Sequence, residues 1–340
     1  MLNNSTKLMF FMTLTSGIFL AVSSNSWMGA WMGLEINLLS FIPMMTNNEN
    51  IYTTEASMKY FLVQALASSL LLFVIITATI MEQFQLINKW LNYNNLMMTP
   101  LLLKSGIAPF HWWFPSVMEG LGWINCLILM TLQSIAPMIL MSNIISVKLQ
   151  FSLIVLMSVL VGSLGGLNQI SLRKMLAYSS INHMGWLLMS LLISNNVWMM
   201  YFMTYSILLM TVISIFNTKK ISFINQVTSV YDIPTFKFMI FMSLLSLGGL
   251  PPFMGFFPKW VVIQFMVCNK FMIMATMMVV FSLITLYYYL RITYSAFLIL
   301  HVKISWKKYF FNKNLMNLTT LVLISTVGLI IMSLPTMIYL

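Results

Sequence analysis

The chain has 340 residues, 60% of them hydrophobic and only 7% charged, and its 17 Lys and Arg against 6 Asp and Glu give a formal net charge of +11. Too few polar side chains remain to cover a water-facing surface, which excludes a soluble globular domain and implies a membrane protein. The basic excess does not make nucleic acid a partner, because the charges sit singly between apolar runs and not on one face.

Apolar windows of about 18 residues or more mark spanning helices, and eleven follow one another along the chain. Span one covers 8–24; it has the length of a signal-peptide core, but more spans and no clear cleavage site follow, so it reads as retained. Span two, 27–45, carries Glu35 near its middle in Trp31-Met32-Gly33-Leu34-Glu35-Ile36-Asn37. Glu55 and Lys59 open span three, 57–81, as an i, i+4 pair of structural type. Span four, 96–118, holds Lys104 near its middle, followed by Gly106, Pro109 and His111, and span five is 121–141. Spans six to eight are 149–168, 174–194 with His183 in mid-span, and 197–217. Span nine, 238–265, is the least regular, because Gly248, Gly249, Pro251, Pro252 and Pro258 interrupt it just before Lys259. Spans ten and eleven are 271–300, whose Arg291 is expected to snorkel toward the basic side, and 316–337. Glu82 and Glu119 fall near span ends and Asp232 in a loop, where carboxylates are solvated.

Spans four and nine share a skeleton. Gly-x-x-Pro-Phe-x-x-x-Phe-Pro appears at Gly106, Pro109, Phe110, Phe114, Pro115 and again at Gly249, Pro252, Phe253, Phe257, Pro258. Five matches at one spacing indicate an internal duplication, and an odd separation of five spans makes the two copies run in opposite directions. Basic residues divide unevenly between alternate loops: Lys7, Lys59, Arg173, Lys174, Lys219, Lys220, Lys237, Lys303, Lys307, Lys308 and Lys313 on one side, Lys89, Lys148 and Lys270 on the other. Eleven against three places the N-terminus in the matrix or cytoplasm and the C-terminus outside. The cluster from Lys303 to Lys313 suits anionic lipid, although topology already accounts for it. Frequent Met (34) and an Arg count of two suggest an AT-rich genome that reads an extra codon as Met, hence mitochondrial synthesis.

A charged side chain at mid-membrane costs about 2.5 to 3.5 kcal/mol on insertion scales, so it marks an ion path or a paired structural group. Lys104 therefore reads either as a switchable proton carrier beside a helix break or as the partner of Glu35 in a static ion pair. Lys259 occupies the matching break. His183 suits proton relay or packing among small polar neighbours; His111, seven residues after Lys104, shares its water chain or caps the broken turn. Trp112 and Trp113 pack against lipid or a neighbouring helix. Cys126 and Cys268 are expected to be inert, buried thiols, without metal or redox spacing. Nucleotide-binding, haem-attachment and cluster-binding patterns do not appear, so redox chemistry is not expected of this chain.

These segments, with Thr54-Glu55-Ala56-Ser57-Met58-Lys59-Tyr60-Phe61, Lys104 to His111, Gly165 to Gln169, Leu172 to Ser180, His183 to Trp186, Leu245 to Pro252 and Pro258-Lys259-Trp260, resemble the antiporter-like membrane subunits of respiratory NADH:ubiquinone oxidoreductase, in an insect-like form. The resemblance covers essentially the whole chain. It implies an all-α polytopic fold of about eleven transmembrane helices: two inverted five-helix repeats with broken helices, 1–145 (spans one to five) and 146–313 (spans six to ten), and a final lateral helix in 314–340. The resemblance also implies that three N-terminal helices of the bacterial form are absent, as in animal members. It further implies a mitochondrial inner-membrane location with the N-terminus in the matrix and the C-terminus in the intermembrane space. Expected partners are other membrane-arm subunits and inner-membrane phospholipids, cardiolipin included. NADH, FMN, iron–sulfur clusters and ubiquinone are expected elsewhere in the complex, with no cofactor here. Glu35, Lys104 and Lys259 match a polar axis that couples quinone reduction to proton translocation.

One position departs from the family. A central lysine is usual in a Thr-Trp-Gln-Lys-x-Ala-Pro segment, but Thr131-Leu132-Gln133-Ser134-Ile135-Ala136-Pro137 has serine there. Serine binds water but cannot hold a positive charge. The relay would then run through water, with or without His183, or not run. Three functions follow in order: a proton-translocating subunit with Lys259 as the hand-over site, a structural connector and passive electrostatic conduit, and a stand-alone sodium/proton antiporter.

Overall fold

The computed structural model describes residues 4–46, 50–83, 93–144, 149–229, 234–298, 319–323, 325, 326 and 328. Lys89, Lys148, Asp232, the Lys303–Lys313 cluster and most of the eleventh span lie outside them, as does the side chain of Glu82. The described residues are helical, with one isolated bridge between Ser171 and Phe223 in place of any sheet. Two compact units divide the chain, Met1–Phe151 and Ser152–Leu340.

Unit one holds α1 (Asn4–Ser23), α2 (Trp27–Met45), α3 (Ile51–Gln83), α4 (Tyr93–Ser105), α5 (Trp113–Gly120), α6 (Trp123–Met130) and α7 (Leu132–Ser142). The second unit contains nearly all of α8 (Leu149–Gly166), then α9 (Leu172–Ile193), α10 (Asn195–Lys219), α11 (Ile224–Ser229), α12 (Pro234–Gly248), α13 (Phe256–Cys268) and α14 (Met272–Leu298). Among the described residues, six helical stretches are long and apolar enough to cross a membrane unaided: Ser5–Ser23, Ile51–Ile80, Trp123–Ser142, Leu172–Ile193, Asn195–Lys219 and Met272–Tyr294. The outer faces match that reading. Leu8, Met9, Met12 and Phe19 of α1, and Leu62, Leu66 and Phe73 of α3, are exposed, as suits side chains that meet lipid. By contrast, α9 is largely enclosed: 83% of its apolar window is buried, and Ser179, Ser180, Asn182 and His183 are buried within the protein.

Both predicted breaks are present, and the same local chemistry makes them. α4 stops at Ser105, and Gly106 follows at φ +70°; α12 stops at Gly248, and Gly249 follows at φ +79°. In each case the glycine N–H donates back to the residue three before it, Leu103 at 3.3 Å and Ser246 at 3.2 Å. The next N–H reaches one residue further, Ile107 to Leu102 at 3.2 Å and Leu250 to Leu245 at 3.5 Å. This is the pattern of a Schellman cap, with its apolar contact between the residue after glycine and the turn before. The copies stay in register, 143 residues apart, from the helix stop (Ser105, Gly248) through the glycine (Gly106, Gly249) to the restart (Trp113, Phe256). One long helix packs along both halves of each break: α3 on α4 and α5, α10 on α12 and α13.

Three features differ from expectation. Span five divides at Thr131 into α6 and α7, because the Thr131 hydroxyl donates to the Leu127 carbonyl (2.7 Å), that of Ser134 donates to the Thr131 carbonyl (2.7 Å), and Pro137 removes an N–H from the next turn. A short helix, α11, lies in a connection read as loop. Cys126 is buried, but Cys268 is exposed, since it is the last residue of α13 and lies past the packed turns. Glu55 and Lys59 pair at 2.6 Å on an exposed face, while Glu119 and Arg291 are exposed.

The caps generate a stability prediction. A β-carbon at Gly106 would lie 3.0 Å from the Phe114 ring, whereas one at Gly122 would meet nothing within 4 Å. With the left-handed backbone costing an L-residue about 1 to 2 kcal/mol, Gly106→Ala is expected to lower the thermal midpoint of the protein in detergent by several degrees. Gly122→Ala is expected to leave it unchanged. Equal midpoints for the two variants would show that the cap does not limit stability.

Candidate functional site

Each break frees backbone carbonyls where water is scarce, and the side chains that answer them define two polar sites. In unit one, the Trp113 indole N–H donates across the break to the Leu103 carbonyl (3.1 Å), and the Gln64 amide of α3 donates to the Lys104 carbonyl (3.2 Å). Lys104 itself is buried, 7% exposed. Its ammonium makes no hydrogen bond to a described residue. Instead it lines a cavity of about 10 Å³ together with Asn37, Tyr60, Gln64 and Gln133, room for a single water with polar partners. The amides are already linked: Gln133 donates to Asn37 Oδ1 at 3.0 Å and accepts from the Tyr60 hydroxyl at 3.4 Å.

Glu35 is half-buried on α2 and acts on Lys104 through space, yet no ion pair within 4 Å joins them. The static contact pair is therefore absent. Ser134 is buried, and its hydroxyl is spent on its own helix, at 2.7 Å from the Thr131 carbonyl and 3.3 Å from that of Met130. His111 stands apart from this cluster. Its Nδ1 lies 3.2 Å from the Pro109 carbonyl, its ring stacks on Trp112 at 5.3 Å, and its carbonyl accepts from the Phe114 N–H, all of which tie the loop at the break. Trp112 is 80% exposed whereas Trp113 is buried.

In unit two the lysine itself answers a freed carbonyl. Lys259, in the first turn of α13, is buried and donates from Nζ to the Gly248 carbonyl at 2.9 Å, back across the break. The cation also stands 6.0 Å from the Trp186 ring centre. His183 of α9 faces the adjacent Leu247 carbonyl and lies near Lys259; its Nδ1 is 3.1 Å from the Tyr201 hydroxyl, and the Tyr205 ring sits 4.9 Å away. Gly249 and Pro252 hold the turn, and Pro258 sits in the first turn of α13, where a missing N–H costs nothing.

The structure thus brings Lys104 together with Glu35 in unit one, and Lys259 with His183 in unit two. Sequence reasoning missed the uncharged members: Asn37, Gln64 and Gln133 around Lys104, and Tyr201 and Tyr205 around His183. An amide or phenol in an apolar window leaves a weak signal; the one available was that Gln64 and Gln133 sit inside spans with few other polar side chains. Among the described residues no group of His, Cys, Asp and Glu could hold a metal ion.

Known proteins resemble this chain in sequence and in fold. Residues 24–285 match the family described as NADH:quinone oxidoreductase/Mrp antiporter, transmembrane. The chain is 47% identical over 335 residues to the NADH-ubiquinone oxidoreductase chain 2 of Locusta migratoria, with 97% of each covered. To that of Aedes aegypti it is 50% identical over 329 residues, with 96% of each covered. Among solved structures, a chain of respiratory complex I from Thermus thermophilus superposes with a TM-score of 0.83 at 22% identity, over 97% of this chain and 79% of that one. A chain of the Mrp complex from a Dietzia species gives 0.72 at 19% identity, over 85% and 60%; at such identities the likeness is one of fold. Through the residues matched and the length over which its relatives align, the chain belongs to the NADH:quinone oxidoreductase/Mrp antiporter transmembrane family, among its NADH-ubiquinone oxidoreductase chain 2 members.

Proposed function

We propose that this chain is a proton-translocating core subunit of the mitochondrial NADH:ubiquinone oxidoreductase, in which Lys104 is a switchable carrier set by Glu35 and Lys259 is the hand-over site. The observation that carries the reading is the state of Lys104: buried, without a contact counter-ion, and facing a water-sized polar cavity beside a helix break. A lysine locked in a contact pair keeps its proton. One held at a distance from its carboxylate, with water within reach, can give it up when a charge moves nearby. Unit charges several ångströms apart interact by a few kcal/mol at an effective dielectric of about 20, enough to couple one protonation event to the next.

Lys259 sits differently, its ammonium held by the Gly248 carbonyl. A proton that arrives at His183 passes to or from this lysine over a short distance, since the two lie side by side against neighbouring carbonyls of one break. The inverted repeat, 1–145 and 146–313 with a last lateral helix in 314–340, belongs to this reading, as do the N-terminus in the matrix and the C-terminus in the intermembrane space. The partners are the other membrane-arm subunits and inner-membrane phospholipids, cardiolipin among them. Electron transfer belongs to other subunits; this chain's part is the charge displacement across the membrane.

A second reading, a connector that passes electrostatic signals without its own proton path, is favoured by Ser134, whose hydroxyl is committed to its own backbone and whose position holds no charge. The deciding experiment is Lys104→Met in the purified complex, reconstituted in liposomes after assembly is checked on a native gel. The carrier reading expects assembly to persist while coupled turnover falls by about tenfold, a change of 1.4 kcal/mol in barrier, or fewer protons move per NADH. Unchanged turnover and stoichiometry would establish the connector.

Gln133→Leu tests the amide cluster. It deletes a donor to Asn37 and an acceptor for Tyr60, which leaves buried polar atoms unpaired at about 1 to 3 kcal/mol. A lower thermal midpoint of the complex and slower coupled turnover are expected; slower turnover with an unchanged midpoint would show that Gln133 serves proton movement alone.

A further inference from the structure

Unit two holds its buried cation without a carboxylate. From Ser152 onward the sequence has one acidic residue, Asp232, two positions before the start of α12, whereas the carbonyl that Lys259 meets belongs to Gly248, the last residue of that helix. The fifteen residues of α12 span about 22 Å at 1.5 Å per residue. Among the described residues no carboxylate lies within 4 Å of the Lys259 ammonium. A buried ammonium with no anion beside it is costly unless fixed dipoles replace the water it gave up.

Two neutral groups do so. Lys259 Nζ donates to the Gly248 carbonyl at 2.9 Å, one of the freed acceptors at the C-terminal end of α12, where the helix dipole presents its negative pole. Gly249 makes room for this, since a β-carbon there would come within 3.2 Å of Nζ. The second group is the ring of Trp186, whose centre is 6.0 Å from Nζ. Trp186 is fully buried and follows His183 by three residues on α9, so the two side chains share one face of that helix, which packs on α13. An indole attracts a cation more strongly than the other aromatic rings do, and the attraction grows where water is excluded. His183 carries no negative charge in either protonation state, which leaves the ring and the Gly248 carbonyl to balance the cation.

The difference from a carboxylate bears on function. A glutamate at this place would offset the ammonium with a full charge and would itself be left unbalanced when the lysine gave up its proton. A neutral ring favours the charged lysine more weakly and stays compatible with the uncharged one. We propose that Trp186 is a positioning residue of unit two, whose indole face substitutes for a counter-ion against the Lys259 ammonium and seats it on the Gly248 carbonyl while its proton stays exchangeable. This rests on the relay reading above and adds to it the group that holds the hand-over lysine in place.

The test separates the face of the ring from its bulk. In the assembled, liposome-reconstituted complex, Trp186→Phe keeps an aromatic face, and Trp186→Met fills nearly the same space without one. Coupled turnover is expected to stay within about twofold of the unaltered complex in Trp186→Phe and to fall about tenfold in Trp186→Met, as loss of a desolvated cation–π contact implies. Equal turnover in the two variants overturns the proposal and makes Trp186 a packing residue. If Trp186→Met fails to assemble, adding Lys259→Met is expected to restore assembly, because the cation left unsupported is then gone; continued failure to assemble overturns the proposal as well. Failure of the relay reading itself shows elsewhere, as unchanged pumping in Lys104→Met, a variant that touches neither Trp186 nor Lys259.

Discussion

A helix interrupted inside a membrane must find partners for the carbonyls at its broken end, and this need shapes both units. An unsatisfied backbone group in hydrocarbon costs several kcal/mol, so the side chains nearest each break are drawn to its carbonyls. In unit one the Schellman cap takes Leu102 and Leu103, and Gln64 takes Lys104; in unit two it takes Leu245 and Ser246, while His183 and Lys259 face Leu247 and Gly248. With a register of 143 residues, Leu247 is the counterpart of Lys104. The carbonyl that an amide satisfies in unit one is thus answered by an imidazole in unit two. A structural requirement common to both sites is met by a neutral group in one and by a titratable group in the other.

The lysines themselves are not counterparts. Lys104 precedes its glycine, and the matching residue in the second copy is Leu247; Lys259 follows its break, and the matching residue in the first copy is Ser116, which bonds its own helix at Trp113. Duplication therefore supplied the break twice, while the cation was placed on opposite sides of it. The consequence is visible in the bonding. From its position after the break Lys259 reaches back to a freed carbonyl, whereas Lys104 at the end of α4 points its ammonium to a cavity and leaves its carbonyl to Gln64. One lysine is anchored by backbone, the other by at most a water and a distant carboxylate.

Much of this was legible because membrane sequences state their constraints in composition. Apolar windows located most of the long described helices, though not their number, the Gly-x-x-Pro-Phe skeleton located both breaks, and the cost of a buried charge singled out Lys104 and Lys259. What stayed hidden was chemistry that composition does not mark. The division at Thr131 depends on hydroxyls turning back on their own helix, a choice invisible in a serine or threonine code. Gln64, Gln133 and Asn37 are polar but neutral, and tyrosines such as Tyr201 and Tyr205 count as apolar in a hydropathy sum although their hydroxyls matter most once buried. Cys268 looked buried because it ends an apolar run, yet the last turn of a helix is where packing gives out.

Ser134 can be understood in the same terms. A second buried cation near Lys104 would need its own solvation and would repel the charge already there, since like charges in a weakly screened interior disfavour each other. With serine at that position, its hydroxyl folded back onto Thr131, the neighbourhood of Lys104 contains one cation, one carboxylate at a distance, and a ring of amides around a water-sized space. Amides reorient without changing charge, so they can hold a water through either protonation state of the lysine. If the proposed relay operates, fewer fixed charges leave the field at Lys104 governed by Glu35 and by whatever charge moves in neighbouring subunits. Under the proposed relay, serine at this position would leave Lys104 more responsive to its neighbours; under the connector reading it marks a path that is not used.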